Sequence, residues 1–181
     1  NPSKGVLSGI SIEATSPVLF SETDFVKLIF YGNVYQKISG GLVLAASLRG
    51  GLAQGYFDTD ELPIVERYFL GGRTTVRGYI QDDLGPKGDD DTPIGGNAFL
   101  MENLELRASV TENFGLVAFL DGGNVWRKID EMSLNDFKFT TGLGVRYNTP
   151  VGPVRVDYGH KLQREKGESA GEVHFSIGHA F

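Results

Sequence analysis

Cysteine is absent from this chain, so neither a disulfide framework nor a thiolate metal site is open to it. No apolar run approaches the roughly 18 residues that a transmembrane helix needs; the longest, glycine included, is Phe114 to Leu120. Positive charge is not in excess either: the net charge of −6 argues against a nucleic-acid-binding surface. Apolar residues at helical spacing are missing. No leader segment stands before Asn1, which fits a mature protein, a cytosolic one or an excised piece. Histidine is scarce, and His160, His174 and His179 all fall near the end of the sequence. No serine, histidine and acid set converges on one loop end, which counts against a hydrolytic enzyme.

What the chain has instead is glycine and alternation. Glycine makes up 25 of 181 residues, about twice the usual share, and aromatics at 11% exclude a disordered low-complexity chain. The length suggests one domain. Period-two alternation marks eight strands. Near 6–14, Ile10, Ile12 and Ala14 oppose Gly9, Ser11 and Glu13; near 25–37, Val26, Leu28, Phe30 and Val34 oppose Lys27, Tyr31, Asn33 and Tyr35. Near 42–51, Leu42, Leu44, Ala46 and Leu48 oppose Ala45, Ser47, Arg49 and Gly51. Near 98–110, Leu100, Leu104, Leu106 and Ala108 oppose Asn103, Glu105 and Arg107, with Glu102 out of pattern on the apolar side. The stretch near 114–126 is apolar on both faces, so its parity is illegible; Asp121 inside it needs a partner if buried. The last three strands alternate well: Leu143, Val145 and Tyr147 against Gly142, Gly144 and Arg146; Val154, Val156 and Tyr158 against Arg155, Asp157 and Lys161; Val173, Phe175, Ile177 and Phe181 against Glu172, His174, Ser176 and Gly178.

Most of these strands have about the 9–11 residues that cross a bilayer at a tilt. Short and long connections tend to alternate, as they do between the two ends of an outer-membrane barrel. The polar faces carry Lys, Arg, Asp and Glu at mid-strand, which suits a wet lumen. The expected fold is therefore all-β, a transmembrane antiparallel β-barrel. A soluble ligand-binding β-barrel would alternate too and is the rival class.

One polar segment, about 53–97, interrupts the strands. Within it, Phe69-Leu70-Gly71-Gly72-Arg73-Thr74-Thr75-Val76-Arg77-Gly78-Tyr79 reads as a close-packed tip, because glycine accepts backbone angles closed to other residues. Arg77 presents a planar fork suited to carboxylates. A surface arginine in a mobile loop is the plainer reading. The acidic run Asp82 to Asp91 lacks the spaced oxygen ligands of a recognised calcium loop and reads as solvated.

Taken together, Val76-Arg77-Gly78-Tyr79, Gly95-Gly96-Asn97-Ala98, Phe119-Leu120-Asp121-Gly122-Gly123-Asn124-Val125-Trp126, the Pro150-Val151-Gly152-Pro153 turn and the final Phe181 resemble the barrel of the bacterial surface antigen family, which includes BamA and TamA. The resemblance covers nearly the whole chain. It implies that these eight strands correspond to the last half of a sixteen-stranded barrel, usually preceded by POTRA domains. Those domains and the first eight strands are not in this sequence, which leaves an excised piece or a short form as alternatives.

The resemblance further implies a non-enzymatic role in inserting, assembling or translocating outer-membrane proteins in the bacterial outer membrane, with no cofactor or nucleotide. The implied partners are outer-membrane protein clients and the lipid bilayer. A transporter secreting one partner protein, or the barrel of a self-secreted lipase, is the alternative within the family. By motif position, Val76, Arg77, Gly78 and Tyr79 form a loop motif that folds into the lumen, and Arg77 meets Glu105 and Asp121 on the wall. Alternation independently places Glu105 on the polar face, whereas the inward aim of Asp121 rests on the resemblance. Phe175, Ile177, Gly178 and Phe181 are implied to be a C-terminal assembly signal. Eight strands closed alone leave an interior only wide enough for side chains. Left open, they expose unpaired backbone that lipid cannot satisfy. A second copy closing a sixteen-stranded barrel would solve both problems.

Overall fold

The computed structural model describes residues 2–16, 23–150 and 152–177. They form one sheet of eight antiparallel strands: β1 (Gly5–Thr15), β2 (Phe25–Ser39), β3 (Leu42–Gly55), β4 (Ala98–Ser109), β5 (Phe114–Trp126), β6 (Lys138–Thr149), β7 (Gly152–Lys161) and β8 (Gly171–Ile177). Their spatial order is their sequence order, a simple meander. Among the described residues β1 and β8 do not pair, so the sheet is an open part of a barrel rather than a closed one. The short connections, after β2, β4 and β6, lie at one end. The long ones, after β1, β3, β5 and β7, lie at the other. Gly178 and Phe181 fall outside the described residues, as does Val151 of the turn after β6.

Strand β3 runs to Gly55, beyond the end near residue 51 that alternation suggests. Gly50 and Gly51 blur the pattern there, because side chains of neighbouring strands and of the long loop occupy the space a Cβ would need. The Phe30 ring covers Gly50, and the rings of Phe99 and Tyr68 cover Gly51. Strand β3 continues because Leu52 to Gly55 pair with Phe25 to Leu28 of β2 and Ala53 N–H donates to Asn97.

The two faces differ as the alternation requires. Leu104, Leu116, Leu120, Leu143, Val145, Val156, Phe175 and Ile177 are exposed on the outward face, as is Glu102. The inward face carries a polar row running straight across the register, Asn33, Ser47, Asn103, Asp121, Thr140 and Lys161, all buried. An apolar band facing out and a polar interior are what a bilayer selects in a barrel.

What buries the inward face is the segment from 56 to 97, which lies across it. Leu70, Val76, Tyr79 and Leu84 of this segment form a core with Met101 of β4 and Val125 of β5. Leu62 and Tyr68 form a second core with Phe25 and Ala53. This explains why β5 shows no parity in the sequence. Val117 and Phe119 point inward but are covered, so the inner face there is apolar as well.

Val156 lies in the outward band and is 39% exposed. Val156→Lys is expected to destabilise the domain by about 2–4 kcal/mol, the cost of a lysine near the bilayer midplane. Reversible unfolding in lipid or detergent measures it, and a midpoint unchanged from wild type would refute the lipid-facing assignment.

Candidate functional site

The long segment reaches the sheet at a tip, Val76 to Tyr79, all of it buried. Gly78 has φ of +100°, a backbone conformation that suits glycine. Gly159 of β7 lies against it: a Cβ at Gly159 would sit 2.5 Å from the Gly78 nitrogen and 2.6 Å from the Arg77 carbonyl carbon. Two glycines on separate strands of sequence thus let the tip backbone rest on the wall.

That close seating delivers the Arg77 side chain into a ring of acids. Its Nε and Nη2 donate to Oδ2 and Oδ1 of Asp121, each at 2.7 Å, a bidentate fork. Its Nη1 donates to Glu105 Oε1 at 2.6 Å, and its backbone N–H also donates to Asp121 Oδ2 at 3.1 Å. Asp157 Oδ2 of β7 stands 3.9 Å from Nη1. The guanidinium carbon sits over Phe119, 3.6 Å from the ring centre, which adds a cation–π contact. Arg77 and Glu105 are 2% and 1% exposed, and Asp121 is fully buried. Burial alone would lower the arginine's pKa. The bonds to Asp121 and the fields of Asp121, Glu105 and Asp157 outweigh it, so the guanidinium stays charged.

The structure therefore brings four of the sequence-selected residues, Arg77, Gly78, Glu105 and Asp121, to one point. Val76 and Tyr79 flank it. Val76 packs into the loop core, and the Tyr79 ring lies 4.3 Å from Lys161 Nζ of β7. Burial pushes the Tyr79 phenol's pKa upward. Phe175 and Ile177 stay apart from the site, on the outward face of β8.

Sequence reasoning passed over four contributors. Asn103 Nδ2 donates to the Thr75 carbonyl at 2.6 Å, and Asp157 completes the acid ring. Lys161 backs Tyr79. His174 Nε2 of β8 accepts the Gly78 N–H at 3.0 Å, which ties the tip to the last strand. All four fall on the polar side of the alternation, so the signal was present. What it lacked was a sign that these particular positions face the loop.

An open meander with an apolar outer band, and an inner wall that grips a long loop through a buried arginine, defines a class: part of a transmembrane β-barrel with an inserted loop. The family model of the Omp85 superfamily domain matches residues 1–181, and the chain belongs to that superfamily. It is an outer-membrane barrel domain. It is 30% identical to the outer membrane protein assembly factor BamA of Nitratidesulfovibrio vulgaris over 99% of its own length, but over only 23% of that protein. With BamA of Neisseria meningitidis serogroup B it shares 25% identity over 99% of this chain and 26% of that protein. A SAM50-like protein of Schizosaccharomyces pombe is 26% identical over 76% of this chain and 31% of its own length. Among solved structures, BamA from Haemophilus ducreyi lacking POTRA domains 1-3 superposes with a TM-score of 0.76 at 22% identity, over 97% of this chain and 37% of that one. The chain thus spans about a quarter to a third of the curated relatives it matches.

Breaking a buried ion pair by removing one partner costs about 3–5 kcal/mol, because the other charge is left uncompensated. Arg77→Ala leaves Asp121 in that state and Glu105 with Arg107 alone. It is expected to free residues 56–97 to proteolysis while circular dichroism retains the strand signal. A mutant loop as resistant as the wild type's would refute anchoring by Arg77.

Proposed function

We propose that this domain forms the last eight strands of a barrel that inserts, assembles or translocates outer-membrane proteins, without cofactor or catalytic residue. In this reading Val76 to Tyr79 is the loop motif, Glu105 and Asp121 are its luminal acceptors, and Phe175, Ile177, Gly178 and Phe181 belong to the assembly signal. The carrying observation is the last strand. Among the described residues the far edge of β8 has no strand partner, and a side-chain bond ties the strand to the anchored loop. An unpaired edge is a template on which an incoming strand can add by backbone hydrogen bonding. Clients would be unfolded outer-membrane proteins. Family membership and the BamA and SAM50 relatives support this choice over a secreted-partner transporter or a lipase barrel.

Lipid cannot satisfy the open edges of β1 and β8. Two sources of strands would close them: further strands of the same polypeptide, or a second copy of this chain. The solved BamA chain, of which this domain covers 37%, favours the first. Cysteines placed in β1 and β8 distinguish the two, since disulfides linking two copies in detergent require the second.

A photo-crosslinking residue at Val173 tests the function. Adducts with newly made outer-membrane proteins are expected in cells, and their absence during active insertion would refute a client-pairing edge. His174→Leu leaves the buried Gly78 N–H unpaired, at a cost of about 1–3 kcal/mol. It is expected to raise adduct yield at Val173 by loosening β8; an unchanged yield would refute the tether.

A further inference from the structure

Beyond the loop anchor, toward the short-turn end, the inward face carries a second cluster of charge. Arg107 of β4, Arg146 of β6 and Arg155 of β7 project into it beside Asp157. Arg146 and Arg155 stand directly opposite each other in the antiparallel register, an arrangement in which like charges repel. Arg155 is 2% exposed. Both reach the same acid: Asp157 lies 2.7 Å from Arg146 Nη1 and 3.2 Å from Arg155 Nη2. Glu105 Oε2 is engaged by Arg107 Nε at 2.7 Å, and its other oxygen by Arg77. Four guanidiniums, those of Arg77, Arg107, Arg146 and Arg155, therefore share three carboxylates, those of Glu105, Asp121 and Asp157.

Among the acids in contact with these guanidiniums the cluster is one negative charge short, the nearest further carboxylate, Glu112, being exposed at the rim, and it has donors to spare. Arg155 Nε and Arg146 Nη2 are buried and meet no hydrogen-bond partner among the described residues. A buried guanidinium with an idle donor is costly unless something supplies the bond. Between these side chains is a hollow of about 80 Å³, lined by Arg107, Arg146 and Arg155 together with Glu105, Asn148 and Pro153. It is larger than the space one water needs. Ser109, Thr111, Glu112 and Asn148 at its rim are exposed, so it opens toward the short-turn end.

We propose that this hollow binds a single oxyanion, a carboxylate or phosphate group, held between Arg146 and Arg155 with Arg107 beside it. Planar guanidinium forks match the paired oxygens of such a group. The bound anion supplies the missing charge, occupies the idle donors and relieves the facing arginine pair. An acidic side chain of a polypeptide entering from that end and free phosphate present the same chemistry. The site does not rest on the assembly role proposed above.

The test uses the protein in detergent and two probes, inorganic phosphate and a glutamyl tripeptide with blocked ends. Thermal unfolding in phosphate against chloride at equal ionic strength is expected to show a saturable stabilisation. Calorimetric titration is expected to give binding that Arg155→Gln and Arg146→Gln each weaken by at least about tenfold, the loss of a charged hydrogen bond. Arg146 is the more peripheral of the two, so its variant decides the matter if Arg155→Gln does not fold. Tighter binding of the peptide supports a polypeptide carboxylate, and phosphate binding alone supports a free ion. Equal responses to phosphate and chloride, or undiminished binding by Arg146→Gln, would overturn the site.

Discussion

The seat of the long loop on the inner wall is arranged around one buried cation, Arg77. Arg77 reaches the sheet from a segment far from it in sequence, and it meets carboxylates on β4 and β5 with a third on β7 nearby. Such a cluster is a poor source of net stability, because desolvating the charges offsets most of their attraction. Adhesion comes instead from apolar contact. Leu70, Val76, Tyr79 and Leu84 pack on Met101 and Val125, and each such side chain contributes about 1.5–3 kcal/mol when fully buried. What the arginine adds is position. An apolar face tolerates sliding, whereas a bidentate fork that also receives a backbone N–H bond to the same carboxylate does not. The loop is held by grease and located by charge.

The sequence yielded the sheet because period two survives in every strand that has lipid on one side and polar wall on the other. It failed where the loop intervenes. In β5 the inward positions Val117 and Phe119 are apolar and covered, Phe119 by the guanidinium of Arg77. In β3 the inward and outward glycines are covered by rings from neighbouring strands and from the long loop, which hid the strand's end. The same logic applies to the site. Alternation put Glu105 on the correct face. Asp121 could not be placed by its own strand, because its neighbours had been selected for the loop rather than for water. Asp157, Asn103, Lys161 and His174 were legible as inward polar residues and no more. Their partners lie in a segment with no periodicity, and a pattern within strands cannot reveal what is docked on them.

Position also explains the glycines opposite the tip. Gly159 and Gly78 bring two backbones into contact, and this proximity allows Gly78 N–H to reach His174 across from β7. The clamp and the last strand are thereby one mechanical unit. Arg77 is fixed by β4 and β5, and its immediate neighbour in sequence is fixed by β8. Any movement of β8 away from β7 must break the histidine bond or drag the tip against a buried, bidentate ion pair. The histidine bond is between neutral partners and is the weaker of the two. Separation of the last strand would therefore begin at His174 and leave the loop in place. Under the proposed role, in which an incoming strand adds at the edge of β8, that order of strengths lets the edge separate while the interior stays in place.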